Sequence, residues 1–117
     1  NPNNYRAIRY ADVLLMAAEA LNRGGIDEGR ARLYLNEVRL RANLSEISSS
    51  GTALTNDIYK ERRLELVGEG HRFFDLVRTN TASENIEGFV SGKHEVFPIP
   101  SIEIDLTGNR WSQNPGY

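Results

Sequence analysis

Cysteine is absent from this chain of 117 residues. That excludes disulfides, thiolate metal ligands and thiol nucleophiles. It leaves the compartment open, since many exported proteins also lack disulfides. Histidine is nearly absent: His71 and His94 are the only two, and no HExxH-type spacing surrounds either. No metal site and no cofactor are therefore expected. Charge of one sign is not in excess either. Fourteen basic and sixteen acidic residues are well mixed, for a net charge of −2. Without a basic stripe, no nucleic-acid partner is expected. No apolar run approaches the roughly 20 residues needed to span a bilayer. No signal peptide is visible and the chain does not begin with Met. The expectation is a fragment of a longer protein, with targeting information outside it.

What is present is ordinary for a folded domain: 39% hydrophobic and 26% charged residues, enough for one core and a single domain over residues 1–117. A first helix is expected from Arg6 to Asn22. Ile8, Tyr10, Ala11, Leu14, Leu15, Ala17, Ala18 and Leu21 form a broad apolar arc, extended by Val13, Met16 and Ala20. Arg9, Asp12 and Glu19 leave only a narrow polar strip, so this helix should be packed on two sides. Gly24 and Gly25 stop it. A second helix runs from Asp27, its N-cap, to Ala42, with Ala31, Tyr34, Leu35, Val38 and Ala42 on one face and Leu33 and Leu40 opposite. The short connection makes an antiparallel hairpin. Its small residues suit either a tetratricopeptide-like pair or any close helix crossing. Residues 45–51 read as a serine-rich loop.

The third helix should start at Thr55, with Leu54 and Tyr59 as a hydrophobic staple, and end near Val67. A fourth spans residues 71–78. Beyond Thr79 the chain reads as loop, with a short strand at residues 95–97. The Pro98-Ile99-Pro100 run makes an extended segment, and the C-terminus reads as a turn. The fold class is mainly all-α: a tetratricopeptide-like helical hairpin, further helices and an irregular C-terminal wrap. More apolar faces exist than three helices need, so another domain or partner should cover one of them.

Residues 61–76, ERRLELVGEGHRFFDL, concentrate the charge. Four carboxylates and four arginines lie within residues 61–78. Projected on a helix, Arg62 and Arg63 fall inside the arc of Ile58, Tyr59, Leu66 and Val67, with Glu61, Glu65 and Glu69 at its edge. Arginines on a core-facing stripe require carboxylate or carbonyl partners. The i,i+3 spacings Arg62–Glu65, Glu69–Arg72, Arg72–Asp75 and Asp75–Arg78 supply candidates. The expectation is a structural ion-pair network of Glu61, Arg62, Arg63, Glu65, Glu69, Arg72 and Asp75, in which Arg62→Ala or Arg63→Ala costs several kcal/mol. The competing reading is a glycosidase pair drawn from Glu61, Glu65, Glu69 and Asp75. Abundant arginine favours the ionised form and works against the protonated acid such chemistry needs. No catalytic residue is assigned. No Ser lies in a nucleophile elbow, and no glycine cluster matches a phosphate loop. Trp111, the only tryptophan, either anchors the C-terminal wrap or stacks on a ligand such as a sugar. One of Phe73 and Phe74 should be core.

The stretches RYADVLLMAAEALNRGG (9–25), ARLYLNEVRLRANL (31–44), ERRLELVGEGHRFFDLVRTN (61–80), FPIPSIEID (97–105) and QNPGY (113–117) occur in an order that resembles the C-terminal region of SusD/RagB outer-membrane lipoproteins. Val67-Gly68 and Phe74 depart slightly from that pattern. The resemblance implies a non-enzymatic, cell-surface binder of oligosaccharide or polysaccharide, in some cases peptide. It implies a lid on a SusC-like TonB-dependent transporter, held to the membrane by a lipid anchor outside this chain. No ligand-binding residue carries over; Trp111 stands as the candidate. Two other readings are a repeat-like protein-interaction module and, more distantly, a carboxylate-dependent glycoside hydrolase.

Overall fold

The computed structural model describes residues 7–108 and 110–117. Six helices are described: α1 (Tyr10–Arg23), α2 (Glu28–Arg41), α3 (Gly51–Glu65), α4 (His71–Arg78), α5 (Ala82–Asn85) and α6 (Ser101–Leu106). No strand occurs among the described residues, so the fold is all-helical. The chain forms two compact units, one ending at His71 and the other running from Arg72 to Tyr117. A single domain was the expectation from sequence.

The first unit is a three-helix assembly. Arg9 is extended (φ −113°, ψ 154°), and α1 begins after it; the expected start, Arg6, lies outside the described residues. Gly24 and Gly25 end α1 as expected. Gly25 takes φ +63°, and a Cβ on Gly24 would lie 2.7 Å from the Ala20 carbonyl oxygen. The chain then reverses into α2, whose first turn is capped by the Asp27 carboxylate accepting from Arg30 N–H at 2.9 Å. Asp27 is thus the N-cap that its position suggests.

The core is small and apolar: Leu15, Ala18, Ala31, Leu35, Leu54 and Ile58 are fully buried, with Ala11, Leu14 and Val38 around them. Ala18 and Ala31 let α1 and α2 approach closely. Ala42, placed on this face by the wheel, is exposed, because it caps α2 rather than continuing it. On α1 the face away from the core is apolar yet open: Tyr10, Val13 and Met16 are exposed. Within this unit α1 packs against both α2 and α3, and this outer face is left open.

The third helix begins at Gly51, four residues before the expected cap. The Gly51 N–H donates to Glu28 Oε2 at 2.7 Å, and Leu54 is buried core rather than a staple outside the helix. Tertiary contacts start this helix where local cap chemistry points to Thr55. It also ends sooner than expected, at Glu65, with Leu66 as C-cap and Val67 77% exposed.

In the second unit, α4 has the expected bounds. Leu76 and Ala82 are buried, and Phe73 packs edge-on to Phe74 and tilted against Phe89. Phe74 is exposed. The strand expected at residues 95–97 does not form. Instead Val90 N–H donates to His94 Nδ1 (3.0 Å) and Gly92 N–H to Glu95 Oε1 (2.9 Å), which folds the segment into a turn. The segment at Pro98-Ile99-Pro100 is pinned by the C-terminal motif. Gln113 accepts from Ile99 N–H (2.7 Å) and donates to Ile99 O (2.8 Å), while Asn114 donates to Phe97 O (2.6 Å). Pro100, in a polyproline conformation, then caps α6, a helix in a stretch whose sequence reads as loop.

Candidate functional site

Arg9, Asp12 and Glu19 read as a narrow polar strip on α1. Asp12 and Glu19 are buried against α3. Arg62 Nη1 donates to Asp12 Oδ1 at 2.7 Å, with both side chains over nine-tenths buried. Tyr59 OH reaches Glu19 Oε1 at 3.3 Å, and Arg23 pairs with the same oxygen at 3.0 Å. Asn22 donates to Thr55 Oγ1 at 2.8 Å. The strip is therefore a polar seam between two helices.

A second cluster joins the start of α1 and the ends of α2 and α3. Arg9 donates to Glu65 Oε1 (2.8 Å) and to the Glu65 carbonyl oxygen (2.8 Å), and its other edge grips both Glu69 oxygens at 3.0 and 2.9 Å. Arg41 donates to both oxygens of Glu65 at 2.7 and 2.6 Å. Arg39 pairs with the buried Glu61 at 2.7 Å. The guanidinium groups supply the several coplanar N–H donors that such shared carboxylates need. The Arg9 guanidinium holds the Glu69 carboxyl below the usual glutamate range, and the hydrogen bonds Arg9 donates to Glu69 and then to Glu65 raise its own pKa.

The sequence-derived network is present in part and wired differently. Glu61, Arg62, Glu65 and Glu69 lie in these clusters, and their partners come from α1, its N-cap and α2: Arg9, Asp12, Arg39 and Arg41. Arg63 is exposed and corrects the expectation: Val67, which widened the apolar arc to include it, lies beyond the end of α3. Arg72 donates to Asn85 Oδ1 at 3.2 Å, and Asp75 pairs with Arg78 at 2.8 Å, both inside the second unit. The narrowness of the polar strip on α1 was the available signal for Asp12 and Glu19. Arg39 and Arg41 gave no such signal.

Every fully buried side-chain nitrogen or oxygen among the described residues has a partner. Among those residues no group of three or more His, Asp or Glu could hold a metal. The carboxylates Glu61, Glu65 and Glu69 are committed to arginines. Glu69, the more exposed of the two on Arg9, is held toward its charged form and is poorly placed to donate a proton. Trp111 is 55% exposed.

Comparison with known proteins places this arrangement. The family model described as the SusD family matches residues 1–96. SusD-like protein P2 of Formosa agariphila is 35% identical over 97% of the chain. A SusD homologue from Bacteroides thetaiotaomicron superposes with a TM-score of 0.86 at 34% identity, covering 98% of this chain and 26% of that one. A surface glycan-binding protein A from Bacteroides uniformis superposes with a TM-score of 0.75 at 36% identity, covering 96% of this chain and 28% of that one. The chain spans 26% of the length of the Formosa relative. With the family model matched over most of the chain and a relative aligned over nearly all of it, the chain belongs to the SusD family.

Proposed function

We propose that this chain is the scaffold part of a longer, non-catalytic glycan-binding protein at the cell surface. In this reading the whole protein captures oligosaccharide or polysaccharide by non-covalent contacts and passes it to a SusC-like TonB-dependent transporter. A lipid anchor outside this chain holds it to the outer membrane. Among the described residues no helix is long and apolar enough to cross a membrane. The observation that carries the reading is family membership, together with a structural relative that is itself a surface glycan-binding protein.

The scaffold role is supported by the use to which the charged residues are put. Arg62 and Asp12 are buried together, and Glu65 is shared by Arg9, beside the start of α1, and Arg41 of α2. These carboxylates face arginines, not an open site. Exposed Tyr10, Val13 and Met16 on α1 fit a surface that the rest of a longer chain would cover. Titration of the protein against plant, host and microbial glycans and peptides should give saturable binding with no release of reducing sugar. Silence across all of them counts against glycan capture. Release of reducing sugar that Glu69→Gln abolishes would establish an enzyme instead.

A further inference from the structure

His94, one of only two histidines in the chain, closes the turn of residues 90–95. Both backbone groups of Val90 are bound to it. The Val90 N–H donates to His94 Nδ1 at 3.0 Å, and the His94 N–H donates to the Val90 carbonyl oxygen at 3.0 Å. The first of these bonds fixes the state of the ring. A ring nitrogen that accepts a hydrogen bond carries no proton, so the closed turn holds neutral His94 with its proton on Nε2. The ring is half-buried and stands edge-on to Phe89, which packs in turn on Phe73 of α4.

The second side chain that closes the turn is Glu95, whose Oε1 accepts from the Gly92 N–H at 2.9 Å. That N–H, and then those of Glu95 and Lys93, hold the Glu95 carboxyl below the usual glutamate range, and His94 is within electrostatic reach of it. Glu95 is therefore ionised wherever histidine titrates. Lys93 places its Nζ over the Tyr117 ring, 4.8 Å from the centroid, and Tyr117 OH donates to the Val96 carbonyl oxygen at 3.1 Å. A Cβ on Gly116 would come within 3.0 Å of the Lys93 side chain, so turn and C-terminal tail are in close contact. The charged groups of the neighbouring elements are engaged elsewhere or open to water. On α4, His71 is within electrostatic reach of Glu69, Arg72 bonds Asn85, and Asp75 pairs with Arg78. Glu84 and Glu87 are exposed.

Histidine ordinarily changes charge between about pH 5 and 8. Protonation of His94 turns Nδ1 from acceptor into donor and sets two N–H groups against each other at 3.0 Å. One of them must leave. The imidazolium is also drawn to the ionised Glu95 and competes with the Gly92 N–H for its oxygens. The same proton therefore weakens both side-chain bonds that close the turn.

We propose that residues 90–95 are a pH-sensitive latch on the C-terminal tail. It is closed while His94 is neutral; the protonated ring opens it and takes Lys93 off Tyr117. The latch does not depend on the glycan reading.

The test is NMR of the full chain as pH falls from about 7.5 to about 5, with the His94 ring titrated alongside. Solvent exchange of the Val90 amide, corrected for its intrinsic pH dependence, should rise about fivefold, as for the loss of one hydrogen bond. The Tyr117 ring resonances should move with the same midpoint as His94. In His94→Asn the carboxamide oxygen accepts from Val90 at every pH, so neither signal should show a transition. In His94→Phe, which keeps a ring against Phe89 and has no acceptor, both should look open throughout. The parent chain alone decides if a variant fails to fold. Val90 exchange that stays flat through the His94 titration, as when attraction to Glu95 keeps the turn closed, would overturn the latch. So would the same transition in His94→Asn, or a Tyr117 signal that ignores the His94 midpoint.

Discussion

Arg9 is the residue on which most of the charge converges. Its guanidinium uses one edge for Glu69 and the other for Glu65, whose second donor is Arg41. The consequence for Glu69 has a definite sign. Its folded pKa is lowered by the Arg9 hydrogen bond from the ordinary 4.5, so its stabilising contribution is present above that value and is lost as pH falls through the lower folded value. Carbon-detected titration of the Glu69 carboxyl should give a midpoint below 4.5, and Arg9→Ala should return it toward that value. A midpoint unmoved by Arg9→Ala would contradict the contact. Arg63 makes the opposite case. Exposed on α3, it should tolerate Arg63→Ala within about 0.5 kcal/mol in urea unfolding. The charge pattern of residues 61–69 makes Arg62 legible as a buried arginine. It misplaces Arg63, because the apolar arc includes Val67, and α3 has already ended at Glu65.

At the scale of elements, α2 does two jobs. Its apolar face joins the core, while Arg32, Asn36 and Arg39, spaced along one side, hold the carbonyls of Ser49, Ile47 and Ser45. Alternate residues of an extended segment are thereby fastened to a helix by side chains, and the Ile47 side chain packs against the core. Asn36 is the centre of this ladder, since its amide satisfies both the N–H and the C=O of Ile47. Asn36→Ala should cost about 1–3 kcal/mol. It should also speed hydrogen exchange of the Ile47 amide, and unchanged protection there would refute the ladder. The bounds of α2 and α4 were legible because caps and apolar spacing agree. The ladder was not: a serine-rich stretch gives no local signal that its backbone is held by side chains of a helix earlier in the chain. The helix α6 was hidden for a related reason. The Pro98-Ile99-Pro100 run fixes extended backbone, yet Pro100 is also the N-cap of α6.

For the whole molecule, we read the buried charges of the first unit as a lock between helices rather than as reacting groups. The apolar core alone is modest: nine buried residues from three helices. Asp12–Arg62 adds a contact between α1 and α3 that is costly to break from one side, because the charge left behind is buried. Family membership sets this lock within the SusD family, and the chain spans 26% of one relative's length. The most direct test is a double-mutant cycle on equilibrium unfolding with Asp12→Ala, Arg62→Ala and the pair. Each single change should cost about 3–5 kcal/mol, and the double should cost clearly less than their sum. Single losses under about 1 kcal/mol, as for exposed pairs, with additive effects in the double, would contradict the lock.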